Sequence, residues 1–252
     1  MQRSPALILA SLVVLAACER DEGEPVEPGL RGQLIDANEQ PLAGVQVLAC
    51  QATTCLYARS DGEGRFEFAI DPPADVALKT HAALAETPRR AAALVPVDLV
   101  DDALVELGRV YVPELPAGVV LGPASEDPQS LAIGDGLQLT LRSADLTPSA
   151  GEFLYDVAAV RVPSEHVPAY PELEGAELIA VHALHPFAAT SSSPIGVRLA
   201  CDLPEGSAVE LRTINELDGN FAELVPGVVE GGFVTSEPGT GITRLTYLVV
   251  SR

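Results

Sequence analysis

The sequence predicts an all-β fold of two β-sandwich domains, preceded by an export segment and a short disordered tether. Three observations carry that reading. From Leu30 onward, runs of alternating apolar and polar residues are broken roughly every eight to twelve residues by Gly, Pro, Asp and Asn, the pattern of a sandwich or barrel. A hydrophobic content of 47% supplies apolar surface for a substantial core and excludes wholesale disorder. Helical periodicity is scarce, and the Ala-rich stretch from Ala82 to Ala93 is limited to a helical turn by Pro88.

In chain order, Arg3 places a positive charge before an apolar run from Ala6 to Ala17 that only Ser11 interrupts, and Leu15-Ala16-Ala17 lead directly into Cys18. The run is too short for a spanning helix, which takes about 20 apolar residues, and acids follow from Glu19 onward. Small residues before a cut also suit an ordinary secretory signal. A cysteine directly behind Leu-Ala-Ala resembles the signal of a bacterial lipoprotein. The resemblance implies that residues 1–17 are a cleaved lipoprotein signal peptide and that Cys18 is lipidated and acylated. Stable anchoring takes at least two chains, with about 0.8 kcal/mol from each buried methylene. Glu19, where an inner-membrane retention signal has Asp, implies the outer membrane. The polypeptide itself is expected in water outside the cytoplasm, anchored to the membrane through the lipid on Cys18.

Residues 18–29 comprise the lipidated cysteine and an acidic Pro/Gly tether. Five acids, two prolines and two glycines leave only Val26 to bury, so the segment is expected to stay extended and solvated.

Residues 30–114 open with alternating faces. Val45, Val47 and Ala49 form one inward set, Phe66, Phe68 and Ile70 another, and Leu107, Val110 and Val112 belong to a later strand. The turns between them are Gly32-Gln33-Leu34-Ile35-Asp36, Gln40-Pro41-Leu42-Ala43-Gly44-Val45 and Ser60-Asp61-Gly62-Glu63-Gly64-Arg65-Phe66. Pro41 presets a turn angle, Asp61 is placed to cap its own turn, and Gly64 permits a conformation closed to branched residues. These motifs, in this order, resemble a carboxypeptidase regulatory-like domain, and Leu107-Gly108-Arg109-Val110 is similar to that family's closing strand. The resemblance implies a prealbumin-like sandwich of about seven strands. That module accompanies many activities, so it speaks to architecture and not to function.

Residues 115–252 continue as a second β-rich, sandwich-like domain after Pro113 and Pro116. Leu137, Leu139 and Leu141 define one inward face, Val197, Leu199 and Cys201 a second, and Val209 and Leu211 a third. Leu217-Asp218-Gly219-Asn220 reads as a hairpin turn. Leu245 to Val250 is almost continuously apolar and is expected to be covered on both faces.

Cys50 and Cys55 flank Gln-Ala-Thr-Thr, and facing positions of a hairpin bring such a pair within disulfide reach, in a compartment where the bond persists. A zinc half-site is the alternative, but no second Cys/His pair has ligand spacing. Cys201 reads as a buried thiol on an inward face. His182 and His185 make an H-x-x-H whose rings, three apart on a strand, point to opposite faces. None of the four histidines begins an H-x-x-E, and Ser191-Ser192-Ser193 lacks the G-x-S-x-G context of an exposed nucleophile. No catalytic residue, metal ligand or cofactor is therefore assigned, and the chain is read as not an enzyme. Acidic turns at Asp61, Asp71 to Asp75, Asp101-Asp102 and Asp218 keep calcium open as an alternative.

The stretch from Pro163 to Pro171 is the candidate recognition loop. Its prolines stiffen it, Glu165 and His166 are its polar members, and Tyr170 offers a rigid amphipathic contact. The formal net charge of −21, with a single lysine, Lys79, excludes nucleic acid as a partner. Aromatics make up only 4% and Trp is absent, which disfavours a sugar-stacking platform. The expected function is a non-catalytic, membrane-anchored interaction module of the envelope or cell surface, whose partner is another envelope protein or a surface ligand. The alternative is an accessory binding protein for a small ligand, glycan or calcium.

Overall fold

The computed structural model describes residues 28–72, 74–82, 86–100, 103–149 and 154–252, so the signal, Cys18, most of the tether and Asp101-Asp102 lie outside the described residues. The described chain is almost entirely β. Its first seven strands are β1 (Gly29–Ile35), β2 (Gln46–Gln51), β3 (Thr54–Arg59), β4 (Arg65–Ala69), β5 (Ala74–Thr80), β6 (Leu94–Leu99) and β7 (Leu104–Tyr111). They divide between a three-stranded sheet of order β4-β1-β7 and a four-stranded sheet of order β3-β2-β5-β6. β1 runs parallel to β7, and the remaining pairs are antiparallel.

The inward sets legible in the sequence meet in one core. Leu30, Leu34, Val47, Ala49, Phe66, Phe68, Leu78, Val110 and Val112 are buried together, with Val45 and Leu107 partly buried against them. The turns set the register. Asp36 Oδ1 accepts the main-chain N–H groups of Asn38 and Gln40, and Asp61 Oδ1 accepts those of Glu63 and Arg65. Gly64 has φ of +74°, and a Cβ there would come within 2.7 Å of the Leu34 carbonyl oxygen. From residue 86 to 93 the chain makes bends and an Arg90–Glu114 bridge, so the helical turn expected near Pro88 does not form in its described part. Those backbone groups pair instead with the linker, where Ala91 N–H donates to Pro113 O and Leu115 N–H to Arg89 O.

The later strands are β8 (Val119–Val120), β9 (Gln129–Gly134), β10 (Leu137–Leu141), β11 (Leu146–Thr147), β12 (Asp156–Arg161), β13 (Leu178–His185) and β14 (Ala189–Ala200). They are followed by β15 (Ala208–Ile214), β16 (Phe221–Glu230), β17 (Phe233–Ser236), β18 (Ile242–Leu245) and β19 (Tyr247–Ser251). All twelve belong to one sheet, whose main order is β8-β12-β13-β19-β15-β16-β17-β14-β10-β9. The sheet rolls until its far end meets its beginning. Arg161 N–H on β12 donates to Asp135 beside β9 at 2.7 Å, and a Cβ on Gly134 would lie 2.7 Å from the Ala159 carbonyl oxygen. Inside the roll, Leu139, Ile195, Leu211, Val229, Leu245 and Leu248 are fully buried.

A third core joins the two halves. On the reverse faces of β2 and β5, Leu48, Cys50 and Ala77 pack with Tyr111, Val181, Ala183, Ile214, Tyr247 and Val249. β19 is covered on both faces, with Leu248 and Val250 toward the roll and Tyr247 and Val249 toward the first half. Burying a large apolar side chain of this kind contributes about 1.5–3 kcal/mol, so this junction is a structural core. Among the described residues, no helix is long and apolar enough to cross a membrane.

Candidate functional site

Polar contacts fix the junction around the shared core. Lys79 on β5 donates from Nζ to the Glu216 carbonyl oxygen at 2.8 Å. Burial pushes its ammonium pKa down, against the pull of the Glu216 carboxylate, which also pairs with Arg244 at 2.7 Å. Arg89 in the first half reaches Asp156 on β12 at 2.9 and 3.3 Å. His185 Nε2 lies 3.4 Å from Oδ1 of the same carboxylate, the oxygen to which Arg89 makes its longer contact. Burial holds His185 below the ordinary imidazole range, opposed by Asp156. The Leu217–Asn220 turn closes the β15–β16 hairpin as expected, with Gly219 N–H donating to Asn215 O. It sits so tightly on the first half that a Cβ on Gly219 would meet Pro96 at 3.0 Å.

The Pro163–Pro171 stretch lies across this junction. Ser164–His166 form one 3-10 turn and Pro171–Leu173 another. The His166 ring stacks on Tyr111 of β7, with centroids 4.7 Å apart, and Glu165 is exposed. A main-chain hydrogen bond first, and Ser164 second, hold the Glu165 carboxyl below its usual range. Tyr170 is turned inward against Phe221, whose ring lies 5.7 Å away, and it lines a cleft beside the loop instead of projecting from it. It is only 9% exposed, its hydroxyl has no hydrogen-bond partner among the described residues, and burial raises its pKa well above the ordinary value.

Two clefts flank the loop. One, of about 350 Å³, lies among Val95, Tyr111, Glu165, His166 and Tyr247. The other, of about 390 Å³, lies among Asp75, Asp98, Val105, Tyr170, Glu172 and Phe221. Pro96, Leu107 and Ala169 line both, so the two clefts adjoin along the junction groove. The sequence identified the loop but not its opposing wall. Asp75 and Asp98 are ordinary exposed strand positions whose convergence with Glu172 depends on how the halves pack.

The remaining sites divide cleanly. Cys50 and Cys55 are joined by a disulfide across the β2–β3 hairpin, with Cα atoms 3.9 Å apart, and the bond faces the shared core. Cys201 is free and only half-buried at the rim of the roll; it begins the turn after β14, outside the ladder that covers Val197 and Leu199. Cys18 lies outside the described residues. His182 and His185 do face opposite ways, His185 toward Asp156 and His182 toward Asp135. Burial lowers His182 to about 4, despite Asp135 nearby. Ser192 and Ser193 donate their hydroxyls to Asp145, an acceptor that holds them in place and is itself pulled below its usual range by them. Asp61 and Asp218 use their carboxylates on their own turns. Among the described residues, no three His, Cys, Asp or Glu side chains gather as a metal site.

No family model matches the chain, and no curated protein matches it. Among solved structures, a streptococcal ancillary pilin is similar at 13% identity with a TM-score of 0.29, covering 90% of this chain and 54% of the pilin. BcpA, the major pilin subunit of Bacillus cereus, is similar at 9% identity with a TM-score of 0.23, covering 90% of this chain and 59% of that subunit. The chain thus spans little more than half the length of either.

Proposed function

We propose that this chain is a lipid-anchored β-protein of the cell envelope, placed outside the cytoplasm at the outer membrane, that acts by binding a partner and not by catalysis. The observation that carries the proposal is Cys18 directly behind Leu15-Ala16-Ala17 at the end of an apolar run. The Cys50–Cys55 disulfide suits an oxidising compartment. The groove along the junction supplies a binding surface, with the loop from Pro163 to Pro171 as one wall. The anionic surface resists adsorption to anionic lipid, so attachment falls to the acyl chains.

Metabolic labelling with a fatty acid, followed by membrane fractionation, tests the anchor. Wild type is expected to carry label and to sediment with outer membranes, and Cys18→Ala to lose both. Equal labelling of the two would reject the anchor. Turnover of peptide or ester substrates by the purified protein, abolished by His182→Ala or Ser192→Ala, would reject the non-catalytic reading.

A further inference from the structure

We infer that the groove beside Tyr170 docks an extended segment of a partner protein in which basic residues alternate with apolar ones. The inference deepens the interaction-module reading and rests on it, although it does not require the lipid. The cleft floor is apolar, with Pro96, Val105 and Leu107 from the first half and Phe221 from the second. Its rim is anionic. Asp75 and Asp98 come from one half, Glu172 and Asp218 from the other, and among the described residues no basic side chain lines the cleft.

A minority of the carboxylates elsewhere on this surface are paired with arginines. Arg31 pairs with Glu106, Arg109 with Glu39, Arg212 with Glu210 and Arg252 with Glu177. Asp75, Asp98 and Glu172 form no ion pair among the described residues. Moreover, Asp75 and Asp98 stand directly opposite each other on β5 and β6, on the face turned to the groove. Like charges in such a cross-strand pair destabilise a sheet. The fold gains nothing from this pair, whereas a cation seated against it relieves the repulsion. The rim acids do not converge closely enough to cage a metal ion, so the fitting cation is an organic one on an apolar stem. The Tyr170 ring beside the acids favours such a group, while the Phe221 ring already has the Arg212 guanidinium 5.3 Å from its centroid and adds apolar floor.

The shape favours a peptide over a small amine. The second cleft, under Glu165, adjoins this one across Pro96 and Ala169, its one arginine, Arg109, being paired with Glu39, and an extended chain sends alternate side chains to the same side. The strongly anionic chain steers a basic segment toward it.

Fluorescence anisotropy with the detergent-solubilised mature chain tests this, using a labelled peptide of alternating arginine and leucine at physiological salt. Binding is expected to weaken about tenfold, or 1.4 kcal/mol, in Asp75→Asn/Asp98→Asn. It should be unchanged in Glu63→Gln/Glu67→Gln, which removes equal charge away from the groove. The Asp75→Asn/Asp98→Asn protein should also melt at a higher temperature than wild type, which separates lost binding from lost fold. Equal binding by the two double variants would overturn the groove, as would equal binding of an arginine–glycine peptide. Displacement by equimolar spermidine would overturn the peptide in favour of a small amine. Equal fatty-acid labelling of wild type and Cys18→Ala, with peptide binding intact, would fail the anchor reading and leave the groove standing.

Discussion

The His166 ring lies nearly parallel to that of Tyr111, with centroids 4.7 Å apart and planes inclined by 16°, although the two residues belong to different halves. The contact holds the loop to β7. Replacing His166 with Ala should lower stability by about 1 kcal/mol, and a double-mutant cycle with Tyr111→Leu should show coupling of similar size. Denaturant midpoints measure both. Additive single effects would mean that the stack contributes nothing.

The Arg89–Asp156 pair crosses the same junction. Removing Arg89 leaves a largely buried carboxylate beside a buried imidazole, so Arg89→Ala should cost about 2 kcal/mol. That is less than for a fully buried pair, because the Arg89 side chain remains 27% exposed. The chain has no Trp, so tyrosine emission, with Tyr111 and Tyr247 in the shared core, reports the transition. Circular dichroism should follow the same curve. Two separated transitions would show the halves unfolding independently.

Acid should loosen the fold through its buried histidines. His182 is lowered to about 4 from an ordinary 6.5, so between those values the unfolded chain holds a proton that the folded chain does not. Stability is therefore undiminished above about pH 6.5, falls as pH drops toward about 4, and then levels off, with about 3 kcal/mol at stake for His182. Equilibrium unfolding of His182→Leu across that range should show a shallower dependence than wild type. Identical slopes would refute the assignment.

Reducing the Cys50–Cys55 bond opens a short loop and should cost about 2 kcal/mol. Intact mass after alkylation should show one modified cysteine, Cys201, in the non-reduced protein with Cys18→Ala, and three after reduction. Alkylation at Cys50 without reductant would reject the pairing.

Most single strands were legible from one-dimensional patterning. Phe66 and Phe68 alternate with Arg65 and Glu67, and Leu137, Leu139 and Leu141 with polar neighbours, because each strand has one wet face. The disulfide and the Asp61 turn were legible because their partners lie within a few residues. The junction was not. Leu48 and Cys50 alternate with Val47 and Ala49, and a run apolar on both faces announces double cover without naming what covers it. The burial of Tyr170 was illegible for the same reason. A tyrosine among prolines looks like an exposed contact until Phe221, about fifty residues away, supplies its apolar partner. Asp75 was legible only as part of an acidic turn and Asp98 not at all, since their proximity arises from the register of β5 against β6.

β19 is the last of the described strands to be synthesised, yet it lies in mid-sheet, between β13 and β15. Its alternate side chains also complete the shared core. Until Tyr247 to Ser251 have emerged, the roll has a gap through its middle and the first half has an uncovered apolar face. Such long-range closure is slow, and an incomplete chain exposes strand edges that invite association. Under the proposed envelope location, a chain with this topology crosses a membrane before β19 can complete the fold. For such a chain the timing of export and the position of one strand are the same problem, and anything that holds the nascent chain open until residue 251 has passed would serve this fold.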